Sequence, residues 1–182
     1  MDAIELLLTR QSSPRLVEPG PDEAQLQTIL DAGVRVPDHA GLSPWEFIIA
    51  QGEGLSRLGG AFYNAVVKKG GDEVLQRKVR GMPLRAPMVI VVVAKPKVHA
   101  KVPKLEQLLS AGCATMAMQQ AAFAMGLGGI WRTGDMAFDE HVHQALELGG
   151  DDQIIGFLYL GTPAVKAPVK ATKSGADFVR YL

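Results

Sequence analysis

The chain has 182 residues, 47% of them hydrophobic, which is the size of one ordinary domain with enough apolar material for a sizeable core. Nineteen basic residues balance nineteen acidic ones, so no overall field draws the chain to nucleic acid or to an anionic membrane. A single cysteine, Cys113, excludes an intrachain disulfide and any cysteine-based metal or redox pair, and the longest apolar run, Ala86 to Ala94, is too short to cross a bilayer as a helix.

The opening stretch MDAIELLLTR sets Asp2 and Glu5 among its leucines and lacks the basic start and long apolar centre of a signal peptide, so a cytoplasmic location is expected. Ile4, Leu7 and Leu8 have the spacing of a short amphipathic helix over Ala3 to Arg10. Pro21-Asp22-Glu23 opens a second helix with an apolar stripe of Leu26, Ile29, Leu30 and Val34, ending near Arg35. A loop follows, and Trp45 to Ala50 reads as a strand rich in aromatic and β-branched residues.

Helices are predicted around Leu55 to Lys68 and Asp72 to Arg80, and Met88 to Ala94 reads as a central strand covered on both faces. Leu105 to Met125 is the longest predicted helix; apolar on nearly every side, it is expected to run through the core. Gly126 to Gly129 ends it, Ile130-Trp131 begins a short strand, and Phe138 to Leu148 suggests a further helix stopped by Gly149-Gly150. Ile154 to Leu160 is a third strand. Beyond Gly161 the chain turns polar and extended yet ends in Phe178, Tyr181 and Leu182, which suggests a tail packed on a partner subunit. Neither repeats nor a linker divides the chain, so residues 1–182 read as a single domain.

Nucleophile elbow, P-loop and Cys/His metal patterns are absent from the sequence, and His141 and His143, two apart, read as surface residues. Three segments remain. Arg10-Gln11-Ser12, followed by Arg15, groups a cation, an amide and a hydroxyl that suit a phosphate and sugar hydroxyls, although the same residues also suit a solvated helix end. Arg35-Val36-Pro37-Asp38-His39, ahead of Pro44-Trp45-Glu46-Phe47, places a cation and an imidazole in a proline-stiffened loop that suits a polar ring edge or an ordinary connection. Gly128-Gly129-Ile130-Trp131-Arg132-Thr133-Gly134 combines close backbone approach, a flat aromatic wall and donors, or forms a core strand edge.

In this order and spacing, the three segments resemble the nitroreductase family, in particular the short, single-domain NAD(P)H nitroreductases of bacteria. The likeness extends from Met1-Asp2-Ala3 to Gly161-Thr162-Pro163. It implies an α+β fold with a central, mainly antiparallel sheet flanked by helices, and an intertwined homodimer with FMN at the subunit interface. Carried over by position, Arg10, Gln11 and Ser12 would bind the FMN phosphate and ribityl or ring-edge groups. Trp131, Arg132 and Thr133 would line the flavin in the same subunit, with Arg35 and His39 reaching in from the other. The resemblance also suggests that Ala121, Ala122, Phe123, Ala124, Met125 and Gly126 touch NAD(P)H, while the same residues suit a buried apolar helix end.

The implied activity passes hydride from NAD(P)H to flavin N5 and then reduces a small-molecule acceptor, nitroaromatic or quinone-like, in ping-pong order, with no protein nucleophile and no metal. A flavin-storage protein and a flavin-fragmenting or dehalogenating relative are the alternatives. Two departures stand out: Asp38-His39 and Ser43 replace a serine-rich, glutamine-containing loop, and Gln11 stands where an arginine is common.

Overall fold

The computed structural model describes residues 2–165, 168–171 and 174–182. Asp2 caps α1 (Ala3–Thr9) by accepting a bond from the Glu5 amide at 2.8 Å. After β1 (Leu16–Val17), α2 (Glu23–Gly33) starts with a capping box in which Asp22 and Gln25 satisfy each other's backbone amides. The chain continues through β2 (Trp45–Gln51), α3 (Glu53–Lys68), α4 (Glu73–Arg80) and β3 (Met88–Ala94). Then come α5 (Lys104–Ala124), β4 (Gly128–Arg132), α6 (Glu140–Ala145) and β5 (Gln153–Pro163). Short 3-10 turns occupy His39–Gly41, Pro83–Arg85, Asp135–Ala137 and Gly175–Phe178.

Five strands form one antiparallel sheet in which β5 pairs with β1, β3 and β4, and β3 also pairs with β2. Every residue of β3 is buried because both of its faces are covered. Val89, Val91 and Val93 join Phe62 of α3, Val142 of α6 and Phe157 on one side. Met88, Ile90 and Val92 join Ile29 of α2, Met118 and Ala122 of α5, and Leu158 on the other. The fold is thus α+β, with an antiparallel sheet between two helical layers.

Two helices depart from the sequence reading. Instead of being enclosed on all sides, α5 buries Ala111, Ala114, Met118 and Ala122 and leaves Leu105 and Leu109 exposed. Its buried polar groups have partners: Gln107 accepts from the Lys97 amide and donates to the Lys97 carbonyl, both at 2.8 Å, and Gln119 donates to the Gly129 carbonyl at 3.0 Å. The helix expected over Phe138 to Leu148 shrinks to α6, because Asp139 accepts from the His141 and Val142 amides and so fixes a later start. Phe138 lies outside it and is exposed.

His141 and His143 are half-buried instead of superficial, and His143 Nε2–H donates to the Ala137 carbonyl at 2.9 Å. The tail beyond Pro163 is exposed where described, and Gln11 holds it by donating to the Pro168 carbonyl and accepting from the Lys170 amide. Residues 166–167 and 172–173 of that tail lie outside the described residues. Among the described residues, no helix is long and apolar enough to cross a membrane.

Candidate functional site

The ends of β4 carry two of the three segments marked by the sequence. At its start, the Ser13 amide donates to the Gly129 carbonyl at 2.9 Å, and Leu16 lies so close that a Cβ on Gly128 would come within 2.6 Å of it. The missing side chain lets Arg10, Gln11 and Ser12 run beside the sheet. Arg10 caps α1 through its amide to the Leu6 carbonyl, and Ser12 is exposed. Ion pairs among the described residues use lysine or histidine as the cation and no arginine, so Arg10 and Arg35 face no competing carboxylate.

At the other end, about 13 Å along the strand at the usual rise, strand alternation separates Trp131 from Arg132. The indole of Trp131 packs toward α5 beside Gly112 and donates to the Ile155 carbonyl at 3.3 Å. Gly156 makes room for it, since a Cβ there would lie 2.1 Å from Trp131 Nε1. Arg132 points to the opposite face, its Cζ 5.9 Å from the centre of the Tyr159 ring, within cation–π range.

On that face, Arg132, Thr133, Gly134, Asp135 and Met136 border a cavity of about 360 Å³. Phe62 and Phe157 supply an apolar floor, with rings 5.2 Å apart at 77°, and Lys78 and Arg85 add two more cations. Tyr159, 4% exposed, also lines it; burial pushes its phenol above the usual value, and Arg132 and Arg85 pull back only partly. An apolar floor with three cations against one carboxylate, Asp135, suits a flat ligand that carries or develops negative charge. Thr133 Oγ1 makes a long bond of 3.4 Å to the Ile155 carbonyl.

Arg35 and His39 sit elsewhere, in the loop between α2 and β2. Asp38 organises this loop by accepting from the Leu42 and Ser43 amides at 3.1 and 2.7 Å. Those bonds hold Ala40 and Ser43 at positive φ, 64° and 47°, a conformation that costs such residues energy and is concentrated at ligand-contacting loops. His39 Nδ1 is 2.7 Å from Glu106 Oε1 at the first turn of α5. His39 and Glu106 border a shallow recess with Pro37, Asp38, Ser110 and Cys113. Ala121 to Gly126 form the last turn of α5 and its exit, where Ala122 is buried and Ala124 and Gly126 are exposed.

A family model described as "Nitroreductase family" matches residues 10–162, and that span contains the Arg10-Gln11-Ser12 segment, both ends of β4 and the cavity. The chain belongs to the nitroreductase family. It is 49% identical over 167 residues to a protein of Escherichia coli (strain K12) named "Putative NAD(P)H nitroreductase YdjA", covering 92% of this chain and 91% of that one. Its fold is shared with a nitroreductase-like family protein of Bacillus cereus, at a TM-score of 0.84 and 20% identity over 100% of this chain and 96% of the other. A Bacteroides fragilis nitroreductase with bound FMN aligns with a TM-score of 0.73 and 21% identity, covering 98% and 97%.

Within one chain of this family member, the marked residues thus fall into four places: β4's start, β4's end, the α2–β2 loop and the exit of α5. The sequence reading missed Lys78, Arg85 and Tyr159, which reach the cavity from α4, a 3-10 turn and β5. Only Tyr159 carried a usable signal, because it shares β5's face with Phe157, one strand over from Arg132.

Proposed function

We propose that this chain is an FMN-dependent oxidoreductase that takes hydride from NAD(P)H and reduces nitroaromatic, quinone-like or related acceptors in ping-pong order. Membership of the family brings the reading, and the cavity at the end of β4 carries it: an aromatic floor ringed by Lys78, Arg85 and Arg132 is a fitting donor set for an electron-accepting ring. FMN, when bound, supplies the two-electron redox chemistry. The protein's part is to bind, orient and exclude.

Arg10 and Ser12, free of carboxylate partners, would hold the phosphate and ribityl hydroxyls, with Gln11 beside them. Arg132 and the backbone around Trp131 and Thr133 would face the ring, and the cations there would stabilise negative charge gained on reduction. Because Trp131's indole turns toward α5, its share is to fix the strand's position instead of stacking on the ligand. The exit of α5, Ala121 to Gly126, would meet the nicotinamide nucleotide.

Arg35 and His39 would complete the site from a second copy of the chain, in a cytoplasmic homodimer in which residues 1–182 act as one domain. Exposed apolar side chains support that arrangement: Ile4, Leu7 and Leu8 of α1, Leu105 and Leu109 of α5, and Phe178, Tyr181 and Leu182 of the tail. The test is the purified protein under argon: a yellow dimer whose flavin absorbance bleaches on mixing with NADPH or NADH and returns on adding a nitroaromatic or a quinone. A flavin that stays oxidised under excess of both nucleotides would reduce the protein to a flavin carrier.

A further inference from the structure

The two walls of the cavity come from elements far apart in sequence, and one ion pair outside it joins them. The first wall is α3, which contributes Phe62 and Val66; the second is Arg132 to Met136. Lys69, the C-cap just past the end of α3, pairs with Asp139, three residues beyond Met136. Asp139 is 4% exposed, and both of its oxygens are committed. Oδ1 accepts from the His141 and Val142 amides at 2.8 and 3.3 Å, and Oδ2 meets the Lys69 ammonium.

Burial alone would push the Asp139 carboxyl up, but Lys69 and the two amides outweigh it and hold the group below the usual aspartate range. The turn between wall and pair is fastened from the far side as well. The Ala137 carbonyl accepts from His143 Nε2 at 2.9 Å and from Gln153 Nε2 at 3.2 Å. Only at Gly134, with φ of 66°, does the backbone leave β4 through a conformation that gives the turn its freedom.

We propose that Lys69 and Asp139 are positioning residues for the cavity: the pair ties the end of α3 to the base of the 135–137 turn and so sets the gap between Phe62 and Arg132. Neither residue lines the cavity. The inference rests on the cavity being the cofactor or acceptor site.

The test uses the holoprotein and its Lys69→Met variant, which removes the ammonium from a side chain that is 56% exposed and leaves Asp139's amide bonds in place. Three readouts are compared: hydrogen exchange of amides 134–138, the FMN dissociation constant by fluorescence titration, and KM against kcat for a quinone acceptor. The expected result is faster exchange in that segment and an FMN dissociation constant or acceptor KM raised roughly tenfold, as for a displaced binding group, with kcat unchanged. Lys69→Arg should restore all three, and Asp139→Asn added to Lys69→Met should weaken affinity no further. Unchanged exchange and affinity in Lys69→Met, beside an Arg132→Ala variant that binds poorly, would overturn the positioning role alone. Wild-type affinities in both Lys69→Met and Arg132→Ala would overturn the cavity reading, and the positioning role with it.

Discussion

The two faces of the sheet are lined by alternate residues of the same strands, yet one closes and the other stays open. On the face covered by α2 and α5, small residues draw the layers together: a Cβ on Gly33 would lie 2.8 Å from Met118, and Gly156 admits the whole edge of Trp131. On the opposite face, α3 and α4 meet each other just as tightly, with a Cβ on Gly59 only 2.3 Å from the Arg80 carbonyl. Beyond the Phe62–Phe157 contact, however, they leave the cavity between themselves and the ends of β4 and β5. Neighbours in sequence therefore acquire different tasks: Trp131 becomes packing, and Arg132 becomes a cation on the edge of a ligand-sized space.

The largest effect should come from removing the floor of the open face. Phe62→Ala is expected to cost about 3–5 kcal/mol in urea unfolding, as for other buried aromatics, because Phe62 is 1% exposed and stacks edge-on against Phe157. Overfilling the closed face should cost less: Gly156→Ala is expected to lose about 1–3 kcal/mol and to shift the tryptophan emission, since the new Cβ collides with Trp131. A smaller loss in either face than in exposed loops would contradict the packing described for it.

Asp139→Ala should cost about 1–2 kcal/mol at neutral pH through the lost helix cap. The sign of its pH dependence follows from its lowered pKa: the stabilisation is fully present above the ordinary value near 3.8 and disappears as pH falls through the lower folded value. Urea titrations between about pH 5 and pH 2 should therefore show a flatter slope in Asp139→Ala than in the parent. Smallest in stability is Arg132→Ala, expected within about 0.5 kcal/mol because the side chain is exposed. Its effect should appear in flavin affinity, which would mark the open face as functional and not structural.

Sequence alone located the layers well, because periodicity is a local property. The unbroken run of β3 announced a strand buried on both sides, and Pro21-Asp22-Glu23 announced the start of α2. It misjudged elements whose limits depend on distant contacts. The two residues of β1 pair only with the end of β5, and α6 starts late because Asp139, also paired with the distant Lys69, caps it. The family pattern pointed to Arg132 and Thr133, and the cavity they border is also lined by Lys78 and Arg85, ordinary residues of an amphipathic helix and a turn until the chain folds. The separation of Trp131 from its neighbour was available from strand alternation and needed only to be applied.

Gln107 carries a mechanical consequence. Its amide is a peptide group in all but connectivity and gives Lys97 the donor and acceptor that an adjacent strand would supply. Lys97 in turn reaches with its ammonium to the Leu42 carbonyl at 2.6 Å, in the loop that holds His39. Torsion of α5 about its axis would thus be felt in that loop through Lys97 as well as through the direct contact of Glu106 with His39, and the helix and the imidazole would turn together.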